Sequence, residues 1–139
     1  MIQQTQTTSF KAQLYEGVHN LLTDTIKIAL YTANADLDET TTVYTSTGEI
    51  TGTGYTSGGN TLTGANINSS GYTAYVSFNS TQWTGASFTC RGALIYNSSK
   101  GNKSIAVLDF GNDKIVSNQT FTITFPADTA DSAIIRSSN

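Results

Sequence analysis

The strongest constraint on this chain is a period-two alternation of apolar and polar residues, recurring in short runs with no helical segment between them. In "DTIKIALYT", Ile26, Ile28 and Leu30 alternate with Thr25, Lys27 and Ala29, the signature of a strand with one buried face. Alternation returns in "NTLTGANINSSG", in "YTAYVSFN" with Tyr72, Ala74, Val76 and Phe78 on one side, and around Trp83 to Phe88. It closes in "QTFTITFP", where Phe121, Ile123 and Phe125 precede the single proline, Pro126. The apolar runs "ALIYN" and "SIAVLDFG" are separated by the turn-rich "NSSKGNKS", and "DSAIIRSS" offers a closing strand. The reading is seven or eight strands at spacings of about 8 to 15 residues. Parallel neighbours would need helical crossovers, and the sequence offers none between successive strands. The expected fold class is all-β: a single antiparallel β-sandwich or barrel, Ig-like or jelly-roll-like, with one short N-terminal helix.

The 139 residues suit one domain, and no linker or repeat divides them. Residues 1 to 8 are polar with no periodic face and read as an N-terminal arm, leaving residues 9 to 139 as the β domain. Ser9 is the expected N-cap of a helix from Phe10 to Leu22, since Phe10, Leu14, Val18 and Leu21 or Leu22 recur at helical spacing. Gly17 lies inside that helix and weakens it by up to about 1 kcal/mol against Ala. His19 and Asn20 fall near its end. The polar stretch "ANADLDETTTVYTSTGE" reads as a loop with a turn at Asp38 to Thr42.

The densest glycine run, "GEITGTGYTSGG", raises the question of a phosphate cradle. A dinucleotide fingerprint needs G-x-G-x-x-G ahead of a helix, whose N-terminus meets the pyrophosphate. Here Gly52 and Gly54 are followed by Gly58, one position late, and a strand pattern follows in place of a helix. No Gly-Lys-Ser/Thr triplet of a Walker loop exists in the chain. The run therefore reads as a structural turn in which Gly52, Gly54, Gly58 and Gly59 supply positive φ angles and bulges, with Tyr55 packed over the end of the fold.

Other chemistry-bearing residues read as structural too. The formal net charge of −3 argues against a nucleic-acid ligand, and no apolar run approaches the roughly 18 residues of a membrane helix. "MIQQTQTTSF" lacks the charged and apolar regions of a secretion signal, so synthesis in the cytoplasm is expected. One cysteine and one histidine cannot furnish a zinc set, and no cofactor or metal is expected. Cys90 sits in an apolar setting and reads as a buried, inert thiol. Arg91 reads as an ion-pair partner for Asp109 or Glu49. Asp36, Asp38 and Glu39 lack calcium-loop spacing and read as a solvated acidic loop. His19 has no partnered nucleophile and reads as a helix-end cap. Trp83 with Tyr31, Tyr44, Tyr55, Tyr72, Tyr75 and Tyr96 could build a sugar-stacking platform, although strand packing accounts for most of these positions.

The order of motifs says more than any one of them. "FKAQLYEGVHNLLTDTIKIALYT", "GEITGTGYTSGGNTLTG", "W" with "CRGALIYN", "VLDFG" and "FTITFP" together resemble a family of small virion structural proteins of tailed bacteriophages. The resemblance runs from Phe10 to Pro126 and departs from the family pattern at Cys90, where Ala is usual. It implies a protein with no catalytic residues, working as a head decoration, neck or tail component of the virion.

On that resemblance the first expectation is a capsid decoration or cement protein. A neck, tail or fibre-attachment subunit is the second, and a carbohydrate-binding module using Trp83 is a third from another class. The expected partners are other virion proteins and further copies of the chain, with trimers suited to local three-fold positions. Contacts are assigned to the arm, meaning Ile2, Gln3, Gln4, Thr5, Gln6, Thr7, Thr8 and Ser9, and to the surface of the first helix.

Overall fold

The computed structural model describes residues 1–126 and 135–137. Among these residues the fold comprises two antiparallel sheets, a short α-helix, α1 (Thr8–Tyr15), and a 3-10 turn (Ser98–Lys100). The larger sheet has the order β1-β7-β6-β2-β3, from β1 (Thr5–Gln6), β2 (Ile26–Tyr31), β3 (Asn60–Thr61), β6 (Thr81–Asn97) and β7 (Lys103–Ile123). The smaller sheet has the order β4-β5-β8, from β4 (Asn66–Ser70), β5 (Thr73–Ser77) and β8 (Ile135–Ser137). The barrel alternative fails, because the larger sheet ends at β1 and β3 and neither edge closes on the other. The expected closing strand is present as Ile135–Ser137, and the remainder of "DSAIIRSS" lies outside the described residues.

The sheet centre is buried on both faces. On one face Ile26, Ile28, Leu30, Ile95, Ile105 and Leu108 join the larger apolar cluster, which includes Phe10, Trp83 and Phe88. On the other, Ala29, Tyr31, Leu94, Tyr96 and Val107 pack under Ile2 and Leu37. Double-sided burial explains why "ALIYN" and "SIAVLDFG" are nearly continuous apolar runs.

Two expectations about strands are corrected. The segment around Trp83 to Phe88 and "ALIYN" form one strand of 17 residues, and "SIAVLDFG" and the first five residues of "QTFTITFP" belong to one strand of 21 that ends at Ile123. Residues that look like breakers are absorbed as irregularities in a continuing ladder. Asn118, with φ +50°, sits where Ala86↔Gln119 gives way to Phe88↔Val116, one extra residue on β7. Around Gly111, with φ +84°, β7 advances from Asp109 to Lys114 while β6 advances only from Gly92 back to Cys90. Arg91 spans that excursion, 3.8 Å from Asp109 and 3.7 Å from Asp113. "DFG" is thus a bend within β7, and Arg91 takes Asp109 as expected. Just before β5, Tyr72 is 85% exposed because it occupies the two-residue turn after β4, where Ser70 pairs with Thr73. Ala74 is exposed as well, so the proposed one-sided set does not form; Tyr75 and Val76 are the buried pair.

The helix and the arm also differ from expectation. Thr7, not Ser9, is the N-cap: its Oγ1 accepts from the Phe10 N–H at 3.4 Å. Helix α1 ends at Tyr15 because Gly17, with φ +72°, closes it. The Gly17 N–H donates to the Leu14 carbonyl at 3.2 Å and the Val18 N–H to the Gln13 carbonyl at 3.0 Å, a Schellman cap. The periodicity through Val18 and Leu22 mimics a helix that the glycine has already stopped. Residues 2 to 7 are not a detached arm. Ile2 is buried and bridges Leu37, Thr5 and Gln6 pair with Val107 and Ala106, and Thr7 is fully buried beside Ser104.

Candidate functional site

The glycine run is held by one carboxylate. Glu49 accepts hydrogen bonds from Tyr44 Oη at 2.6 Å, Ser57 Oγ at 3.1 Å, the Gly58 N–H at 2.8 Å and Tyr55 Oη. These donors occupy the lone pairs a general base or metal ligand would need. Tyr55 Oη also accepts the Leu30 N–H at 3.0 Å, tying the run to β2, while Tyr96 Oη donates to the Gly58 carbonyl at 2.6 Å. Burial, and then the bond to Glu49, push the Tyr55 and Tyr44 phenols above their ordinary range, and burial lifts Tyr96 to about 12. The phenols therefore stay protonated and act as fixed donors.

The glycines in this run permit close approach. A Cβ on Gly52 would stand 2.5 Å from the Ser87 carbonyl oxygen, one on Gly54 2.9 Å from Ala86 Cα, and one on Gly59 1.8 Å from the Ile28 carbonyl oxygen. All five glycines of the run, Gly48 and Gly58 included, have positive φ. The run is a turn that also lies against the backbones of β6 and β2. Tyr55 packs its ring on Trp83 and Phe88, with centroids 6.3 and 6.1 Å away.

A second polar cluster ties the chain after α1 to the end of β6. Asn97 is fully buried, and its Nδ2 lies 2.8 Å from Asp24 Oδ2 and 3.0 Å from His19 Nδ1. His19 Nε2 lies 2.8 Å from Gln13 Oε1, and the His19 ring tilts over Phe10 at 5.1 Å. Burial holds the His19 imidazole below its ordinary value despite the nearby Asp24 charge. Burial alone would raise Asp24, but hydrogen bonds from the Asn20 N–H and Asn97, with Lys100 at 3.8 Å, hold it lower.

Between α1 and the smaller sheet lies an apolar groove of about 350 Å³, lined by Phe10, Leu14, Leu21, Ile67, Val76 and Ile135, with His19 and Arg136 among its polar neighbours. A second hollow of about 400 Å³ adjoins it, sharing Leu14 and Arg136 and adding Gln6, Lys11 and Tyr15. Phe10 is the one buried residue of α1; Leu14 is 36% exposed and Tyr15 94%. Helix α1 thus turns a leucine and a tyrosine outward beside an apolar groove.

The eight candidate contact residues are split by the fold. Ile2 and Thr7 are buried; Gln3, Gln4 and Thr8 are exposed; Thr5, Gln6 and Ser9 are half-buried. Only Gln6 lines the hollow beside α1. Trp83 is 3% exposed within an aromatic cluster with Phe121 and Tyr55, so it offers no face to a sugar. Cys90 is fully buried, and burial pushes its thiol up to about 12. In the acidic loop, Asp36 pairs with the N-terminal amine at 2.6 Å and Asp38 accepts from the Thr40 N–H at 2.8 Å. Sequence reasoning missed the grouping of Gln13, His19, Asp24 and Asn97, for which spacing gives no signal, and the outward side chain of Tyr15. No protein-family model, curated protein or solved structure matches this chain.

Proposed function

We propose that the chain is a non-enzymatic structural subunit of a bacteriophage virion, a capsid decoration or cement protein, that docks through α1 and the groove beside it. The observation that carries the docking surface is the exposure of Leu14 and Tyr15 on a helix that buries only Phe10. The virion setting rests on the ordered motifs from Phe10 to Pro126. The residues with chemical potential already have structural duties: Glu49 pins the glycine run, Arg91 spans the β7 bend, and Asp24 holds Asn97. Finer architecture follows the same reading, an Ig-like or jelly-roll-like sandwich of the two sheets. Its partners are shell proteins and further copies of the chain, arranged as trimers at local three-fold positions. Many copies on a symmetric shell turn weak single contacts into stable occupancy.

Uptake of the purified chain by shells that lack it tests this reading. Removing residues 1 to 8 is the wrong perturbation, since it deletes β1 and the N-cap of α1. Leu14→Glu with Tyr15→Glu leaves the core intact and is expected to abolish uptake, whereas Gln3→Ala with Gln4→Ala is expected to leave it unchanged. Normal uptake of the folded Leu14/Tyr15 variant would remove α1 from the mechanism. Uptake by tails and not by shells would move the subunit to the neck or tail.

A further inference from the structure

We propose that His19 is a pH-operated latch: a proton on its Nδ1 breaks the contact with Asn97 and loosens the segment running from Gly17 up to Asp24, which itself stays held by Asn97 and Lys100, so that the groove beside α1 widens. The inference stands on local geometry and does not depend on the virion reading.

The amide of Asn97 has one orientation that satisfies all its neighbours. Its Oδ1 accepts the Ser99 N–H at 3.0 Å, so Nδ2 faces both Asp24 Oδ2 at 2.8 Å and His19 Nδ1 at 3.0 Å. Each Nδ2 hydrogen then has an acceptor, and His19 Nδ1 must be bare. The ring proton sits on Nε2 and is donated to Gln13 Oε1 at 2.8 Å. A second proton on Nδ1 would point at a donor. Flipping Asn97 would turn its oxygen toward the Asp24 carboxylate and abandon Ser99, so the amide cannot yield cheaply.

Charges around the ring do not cancel this conflict. Asp24 favours the imidazolium, but its Oδ2 already accepts from the Asn20 N–H at 2.9 Å and from Asn97, and its Oδ1 faces Lys100. Lys100 and Lys103 oppose a positive ring, and Arg136 lines the same groove. Past the Schellman cap, His19 is the side chain that links this segment to both Gln13 on α1 and Asn97 on β6. Its ring, with Phe10 and Leu21, also forms part of the groove wall. Release of the ring therefore acts on the groove directly.

Imidazole nitrogen NMR and amide hydrogen exchange on the full chain test the latch. The expected result is an Nε2–H tautomer at pH 7.5. Exchange of residues 17–24, corrected for intrinsic rate, should rise on the order of tenfold as His19 titrates, while residues 26–31 stay protected. His19→Gln, which keeps an acceptor and a donor, is expected to show no such rise. An Nδ1–H tautomer in the wild type, or unchanged protection of residues 17–24 through the titration, would overturn the proposal. So would an equal rise in His19→Gln; if that variant does not fold, the two wild-type readouts decide.

Discussion

Tyr55 and Glu49 are joined by a phenol-to-carboxylate hydrogen bond, and the same phenol oxygen accepts the Leu30 N–H at 3.0 Å. This one side chain connects the central sheet to the carboxylate that folds the glycine run. Tyr55→Phe should cost about 1–2 kcal/mol by leaving the Leu30 amide and one Glu49 lone pair unmatched, and Glu49→Ala about 2–4 kcal/mol by stranding several donors. A double-mutant cycle read by urea denaturation should give a coupling of about 1–2 kcal/mol. Additive effects would mean the contact carries no weight.

The adjacent glycines Gly58 and Gly59 separate conformational strain from collision. Both have positive φ, but a Cβ on Gly58 meets only Tyr96 Oη at 3.4 Å and Lys27 Nζ at 3.5 Å, whereas on Gly59 it meets the Ile28 carbonyl oxygen at 1.8 Å. Gly58→Ala should cost about 1–2 kcal/mol, and Gly59→Ala should exceed about 4 kcal/mol or prevent soluble expression. Thermal denaturation of both variants checks this. Similar losses would show that the close approach to β2 is not limiting.

Much of this fold was legible because alternation and turn chemistry are local signals. Ile26 to Tyr31 form a strand as their alternation announces, but it is buried on both faces and not on one, because Ala29 and Tyr31 join the second apolar cluster; Gly52, Gly54, Gly58 and Gly59 adopt the positive φ expected of them. The misreadings share a cause: identical local signals have different outcomes once tertiary contacts are made. Gly17 reads equally as a weak helix interior or a C-terminal cap, and the Schellman bonds decide it. "SIAVLDFG" and "QTFTITFP" read as separate strands, yet the β6 ladder carries β7 past both Gly111 and Asn118. The arm reads as detached because Ile2 is an apolar residue among polar ones, and only its place beside Leu37 over the sheet gives it a core role. Of the proposed contact surface, Leu14 was visible as an apolar position, but its outward direction depends on where α1 stops.

Cys90 should be silent in the native state. It is fully buried and its thiol is pushed up to about 12, first by burial. An aromatic disulfide reagent should label it only when denaturant unfolds the chain, at the rate of a free thiol. Stoichiometric labelling of the folded protein at pH 8 would place Cys90 at the surface.

Acid should weaken the protein in two stages of the same sign. His19 is held below its ordinary value, so its contribution is fully present above about 6.5 and lost as pH falls toward the folded value. Asp24 is also held low, so its contribution is present above the ordinary carboxylate range and lost as pH falls through the folded value. His19→Gln should remove the first stage and Asp24→Asn the second. Denaturation midpoints from pH 8 to pH 3 report both, and a midpoint that rises between pH 7 and pH 5 would contradict the assignment. The phenols raised by burial have the opposite sign: their contribution is present below about 10 and lost as pH climbs.

Docking through α1 is the central claim, and a cryo-EM reconstruction of particles carrying the chain tests it most directly. The account predicts density for the domain on the outer capsid surface, in threefold clusters, with Leu14 and Tyr15 buried against a shell subunit. Density confined to the tail, or a capsid-bound domain with α1 facing solvent, would contradict it.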